Sequence, residues 1–255
     1  MLLASASLAI RLFAPFTLAL CVGAGCWIAG SAYWLLSGFT PAVTGWWLNF
    51  LVVTVAAERL ELSRMLDVPR SSQLAFALAT LALLVGSARG EFDQAWAPLT
   101  AAGLLGYAAW LIRYDIARRT VHLPGLPRFS AVSILIGHVW LGVAGLLLFV
   151  APPGTTAFSY DAAVHTIAIG FVLSMIFGHA PIIFPAVAGI RIRFSRFAYT
   201  SLILLHLSLA LRLAGDILER GEWRALSGWI TILALAGYAA TLTLASTTRL
   251  LRPTE

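Results

Sequence analysis

Phe129 to Ala151 reads FSAVSILIGHVWLGVAGLLLFVA, 23 residues in which His138 is the one ionisable side chain. At ~1.5 Å rise per residue, a hydrocarbon layer of about 30 Å needs roughly 20 residues, so this run is long enough to cross a bilayer as a helix. Working outward from it, comparable apolar windows fall near residues 12–36, 43–63, 72–88, 94–116, 161–188, 196–216 and 225–248. Between them lie short breaks with turn chemistry, such as Pro124-Gly125-Leu126-Pro127 and Pro152-Pro153-Gly154. The expectation is an all-α, polytopic membrane protein of about eight spanning helices, forming one transmembrane domain over residues 1–255.

Composition excludes the alternatives. Of 255 residues, 60% are hydrophobic and 11% charged, against roughly 25% charged in a soluble domain, and the mean hydropathy is +0.89. The net charge of +6 does not mark a nucleic-acid binder, because all 17 basic residues are arginines set at the ends of apolar runs. If consecutive runs alternate direction, 13 arginines, from Arg11 through Arg191 to Arg249 and Arg252, lie on the N-terminal side. Four, Arg89, Arg212, Arg220 and Arg224, lie opposite. The positive-inside rule then predicts cytoplasmic termini, an even number of spans and the lipid bilayer as the first partner. Cys21 and Cys26 sit in one apolar run, about 140° apart on a helix, and read as packing residues. Nucleotide-binding, kinase and hydrolase motifs are absent from the short loops.

All five histidines lie between residues 122 and 206, and His122 falls in a polar loop. His138, His179 and His206 each lie about ten residues from the cytoplasmic end of their runs, hence at a shared depth of very roughly 15 Å. The histidine-bearing half, 129–216, is therefore the candidate site. His165 precedes His179 by 14 positions, which an α-helix brings to within ~40° of one face, about 21 Å apart. That spacing matches a helix giving one ligand to each of two stacked haems. Neutral imidazole ligates haem iron and copper through one ring nitrogen while the other needs an acceptor. The competing reading is a set of buried histidines hydrogen-bonded across helices or relaying protons. Gly142 and Gly145, at i+4 and i+7 from His138, suit either a porphyrin or close helix packing.

Other polar groups extend these readings. Glu58 and Arg59, about a turn inside the end of their run, form an interfacial ion network, line a proton route, or, for Arg59, hold a haem propionate. Asp161, four residues before His165, caps a helix start or orients that imidazole. Pro181 and Pro185 remove backbone donors just after His179, so a kink is expected there and the freed carbonyls need new partners.

The stretch Tyr160 to His179, YDAAVHTIAIGFVLSMIFGH, with its Asp-Ala-Ala before a histidine, its Ile-Gly pair, its Ser-Met-Ile segment and a following loop with Arg191, resembles the NnrS family. The resemblance covers about residues 160–212. It implies a haem- and copper-containing protein of the bacterial inner membrane, linked to nitric oxide metabolism or tolerance and similar in broad design to haem–copper oxidase cores. His165 carries over by motif position and His179 more loosely, while His138 and His206 rest on depth. Together these readings predict a redox or nitric-oxide-handling protein that holds haem b, copper or both on His165, His179, His138 and His206. Redox partners or the subunits of a membrane complex would accompany that role. Two other classes remain: a cofactor-free channel or transporter using the same histidines, and a structural subunit of a redox complex.

Overall fold

The computed structural model describes residues 5, 7, 9–10, 12–66, 68–89, 95–190 and 192–246. Among the described residues the chain is helical, without strands, and eight helices are long: α1 (Pro15–Ser37), α2 (Pro41–Leu62), α3 (Arg70–Arg89), α4 (Ala97–Tyr114), α5 (Leu126–Val150), α6 (Ser159–Ala188), α7 (Phe197–Ile217) and α8 (Gly221–Ser246). Helix α1 opens on Pro15, where a missing N–H costs nothing, and closes on Gly38 at φ 62°. That left-handed conformation suits a residue without a Cβ.

Six of these helices, α1, α3, α5, α6, α7 and α8, are long and apolar enough to cross a membrane. The expected eight spans are thus corrected to six candidates. In α2, Asn49 and the Glu58-Arg59-Leu60-Glu61 segment dilute the apolar run. Helix α4 has only 18 residues, interrupted by Pro98, Gly103 and Gly106 and ending on Arg113. Large apolar side chains on the candidate spans stand exposed, among them Leu74, Ile203, Trp229 and Leu233, as contact with lipid requires. Arg11, Arg191, Arg249 and Arg252, and the side chain of Arg89, lie outside the described residues.

The chain divides into two compact units. Unit 1 holds Met1–Ile116 and His138–Ala168, and unit 2 holds Ala117–Gly137 and Ile169–Glu255. Within unit 1, polar ties pin helix to helix. Asn49 of α2 donates to Ser87 Oγ on α3 (2.5 Å), Trp110 of α4 donates to the Ser72 carbonyl (2.9 Å), and the Thr80 and Tyr107 hydroxyls share a hydrogen bond (2.6 Å). Such bonds each contribute on the order of 0.6 kcal/mol in membrane bundles, up to about 1.7.

In unit 2, α7 and α8 pack as a hairpin, clasped at its turn by an ion pair in which Arg224 Nε lies 2.7 Å from Asp216 Oδ1. The core there is aromatic: Phe177 stacks on Tyr238 with centroids 3.9 Å apart and planes 10° from parallel, an arrangement worth about 0.5–1.5 kcal/mol beyond burial. Pro181 cannot donate to the carbonyl four residues before it, that of Phe177. The Tyr238 hydroxyl donates to that carbonyl at 2.6 Å, so the partner the proline denies is supplied from α8. Helix α6 itself runs on through Pro181 and Pro185 to Ala188. Its irregular backbone lies before His179 rather than after it, in a π-helical stretch over Thr166–Leu173.

Candidate functional site

The chemistry of unit 1 gathers where α4 ends. Asp115 leaves the helix in an extended conformation (φ −73°, ψ 139°), its N–H still bonded to the Leu111 carbonyl at 3.0 Å. Its side chain is wholly buried, and its Oδ2 lies 3.5 Å from Nε2 of His138, which is equally buried. A buried charge without a counter-charge costs several kcal/mol, so the two groups are interdependent. As imidazolium and carboxylate, or as imidazole and carboxylic acid, the two side chains carry no net charge between them. The pair becomes charged only when it gains or releases a proton.

Helix α5 meets α4 along the face His138, Leu141, Gly142, Gly145, in antiparallel register. A Cβ at Gly145 would fall 2.8 Å from Leu105 Cγ and 3.0 Å from the Ala101 carbonyl, and one at Gly142 would lie 3.5 Å from Ala108 Cβ. The small-residue face that suited a porphyrin is therefore occupied by α4. Close helix packing, the other reading of these glycines, is the one observed.

A second imidazole–carboxylate pair belongs to the same unit. His165 Nδ1 lies 2.9 Å from the Asp161 carbonyl and 3.3 Å from Asp161 Oδ1, with the two side chains 30% and 24% exposed. Both neighbours are acceptors, so Nδ1 carries the proton and Asp161 orients the ring as well as opening the helix. Beside it, the hydroxyls of Tyr160 and Thr44 share a hydrogen bond of 2.8 Å, tying α6 to α2.

In unit 2, His179 Nδ1 lies 2.6 Å from the Met175 carbonyl. Here too Nδ1 is the protonated nitrogen, and Nε2 of a neutral ring is left as the lone-pair side. His206 is half-buried on α7, and His122 is exposed in its loop. At the end of α2, Arg59 is buried and Glu58 exposed.

Of the residues singled out from sequence, Asp161 and His165 are brought together. Among the described residues, no three histidine, cysteine, aspartate or glutamate side chains gather closely enough to hold a metal ion. The π-helical stretch between His165 and His179 also removes the basis for their shared face, because i→i+5 turns advance less per residue than the ~100° assumed. Cys21 and Cys26 are free thiols, the latter buried, in keeping with a packing role.

Asp115 was not among the sequence candidates. The signal existed: it is the only acidic residue between Asp93 and Asp161. The Asp216–Arg224 clasp was missed because each residue sits at the end of an apolar run, where charge is ordinary.

Six helices able to cross a membrane and a buried imidazole–carboxylate pair beside one of them define a multi-helical membrane protein with an internal ionisable site. The chain belongs to the family described as Domain of unknown function (DUF8744), which matches residues 1–247. No curated protein and no solved structure matches it. The family match spans nearly the whole chain and none to NnrS is found, so the resemblance over residues 160–212 is overturned. The motif it rested on is a histidine in an apolar, glycine-containing helix, a pattern that membrane helices share for packing reasons.

Proposed function

We propose that this protein moves protons across or within its membrane, with His138 and Asp115 as the buried proton-holding pair. The observation that carries the reading is the pair itself: two ionisable side chains without solvent exposure, 3.5 Å apart. Ionisable groups are expensive in a membrane interior and mark proton and substrate routes when they occur there. The half-open Asp161–His165 pair of the same unit supplies a group that exchanges protons with water. One proton entering His138–Asp115 gives the pair a positive charge in a low-dielectric setting, which drives a proton onward to the next acceptor.

If the helical runs alternate direction, the arginine asymmetry supports cytoplasmic termini with an even number of spans. The test is proton flux. Proteoliposomes loaded with a pH-sensitive dye and given a potassium-diffusion potential acidify faster than empty vesicles, and Asp115→Asn or His138→Asn abolishes the difference. Wild-type flux equal to that of empty vesicles under a potential of either sign overturns the reading.

One observation favours a second reading, a haem- or copper-binding redox protein. His165 and His179 each have Nδ1 held by the carbonyl four residues back, which fixes the tautomer a metal-ligating imidazole needs, Nε2 outward. His138 does not fit that role, since its Nε2 faces a carboxylate. On this reading haem b or copper would supply one-electron chemistry, with His165 or His179 as a ligand. An oxidised and dithionite-reduced visible spectrum, with iron and copper counted on the same sample, separates the two. A Soret band lost on His179→Ala supports the haem, and a colourless, metal-free protein from haem-replete cells excludes it.

A further inference from the structure

A cavity of about 390 Å³ lies in unit 1 where α1 begins and α2 ends, and its lining includes Phe13, Phe16, Leu60, Ser63, Arg64 and Gln73. Its walls are built by local sequence. The Thr17 hydroxyl shares its hydrogen between the Leu12 and Ala14 carbonyls (2.9 and 2.8 Å) and accepts from the Ala14 N–H at 3.1 Å. That knot fixes the entry of α1 and leaves Phe13 82% exposed at the rim. On the facing wall α2 tightens into the turn Ser63–Met65, with Ser63 Oγ donating to the Leu60 carbonyl at 2.7 Å. The turn carries Arg64 over the Phe16 ring, its guanidinium carbon 5.8 Å from the centroid.

Cation–π contact of this kind leaves the outward N–H groups of the guanidinium available, and Arg64 is exposed. Among the described residues no carboxylate pairs with it. The cavity thus joins an apolar floor, Phe16 and Leu60, to a cationic and amide rim, Arg64 and Gln73, beside the end of a span-length helix. An amphiphile with one anionic head and an acyl chain matches that division, and a fully polar anion would leave the aromatic half unused.

The geometry points to a binding site for the headgroup of an anionic phospholipid, with the phosphate on Arg64 and the first acyl carbons on Phe13 and Phe16. This is independent of whether the protein moves protons. The test uses the full chain purified in detergent, with native mass spectra recorded in equal phosphatidylglycerol and phosphatidylcholine. The wild type retains one phosphatidylglycerol in preference to phosphatidylcholine. Arg64→Gln weakens retention about fivefold, the scale of one interfacial arginine, Arg64→Lys recovers part of it, and Arg70→Gln, outside the lining named above, leaves it unchanged. Equal retention of both lipids by the wild type overturns the site without reference to any variant. So does equal loss in Arg64→Gln and Arg70→Gln, or displacement of the lipid by millimolar inorganic phosphate, which would assign a free-anion site instead.

Discussion

Replacing Tyr238 by Phe keeps the ring stacked on Phe177 and deletes one hydroxyl. The hydroxyl's partner is the Phe177 carbonyl at 2.6 Å, a carbonyl that lacks the usual i+4 N–H donor because residue 181 is proline. An unsatisfied buried acceptor costs about 1–3 kcal/mol, and interhelical hydrogen bonds in membrane bundles reach about 1.7 kcal/mol. The expected loss is therefore about 1–2 kcal/mol, a factor of roughly 5–30 in the unfolding equilibrium. Pro181→Ala restores an N–H at the position from which an α-helix satisfies Phe177, so Tyr238→Phe on that background costs less than about 0.5 kcal/mol, within ordinary additivity error. The assay is reversible unfolding of the four proteins in mixed micelles, titrated with sodium dodecyl sulfate and followed by circular dichroism. An equal cost of Tyr238→Phe with proline or alanine at 181 refutes the account of the α6–α8 contact.

Three further outcomes follow from the packing and the charges. Gly145→Leu forces α4 and α5 apart, since its Cβ alone meets Leu105 and the Ala101 carbonyl, and costs about 1–3 kcal/mol; Gly142→Ala, with ordinary van der Waals room, is close to neutral, both read by thermal unfolding. Asp216→Ala leaves Arg224 without its 2.7 Å carboxylate and lowers stability by about 1–3 kcal/mol, less than a fully buried pair because Arg224 is partly exposed. Asp161→Ala removes the side-chain acceptor of His165 but not the backbone one, so proton flux slows without being lost, measured in the same dye-loaded vesicles.

The helices were legible because each is an apolar run long enough to cross or nearly cross a bilayer: the window 129–151 is observed as Leu126–Val150, and 196–216 as Phe197–Ile217. Composition does not reveal which helices qualify as spans when a few polar residues decide it, as Asn49 and Glu58 do in α2. The need of the Pro181 gap for a new partner was also legible, since a proline removes a donor wherever it stands; that the partner is Tyr238, 61 residues on, was not. Nothing in Thr166-Ile-Ala-Ile-Gly-Phe-Val-Leu marks an i→i+5 ladder, because apolar side chains accommodate either winding. The Asp161–His165 pair was readable as a local i, i+4 contact. The Asp115–His138 pair was not, because its members are 23 positions apart and meet only through the glycine face that lets α4 approach α5.

The most direct measurement of the central claim is a pH titration by infrared difference spectroscopy of the protein in liposomes, with Asp115→Asn and His138→Asn as references. Across the pH range in which the protein stays folded, the account predicts carboxyl and imidazole bands that change together and vanish in both variants. A wild-type spectrum identical to those of the two variants across that range would mean that the buried pair neither takes up nor releases a proton, and would contradict it.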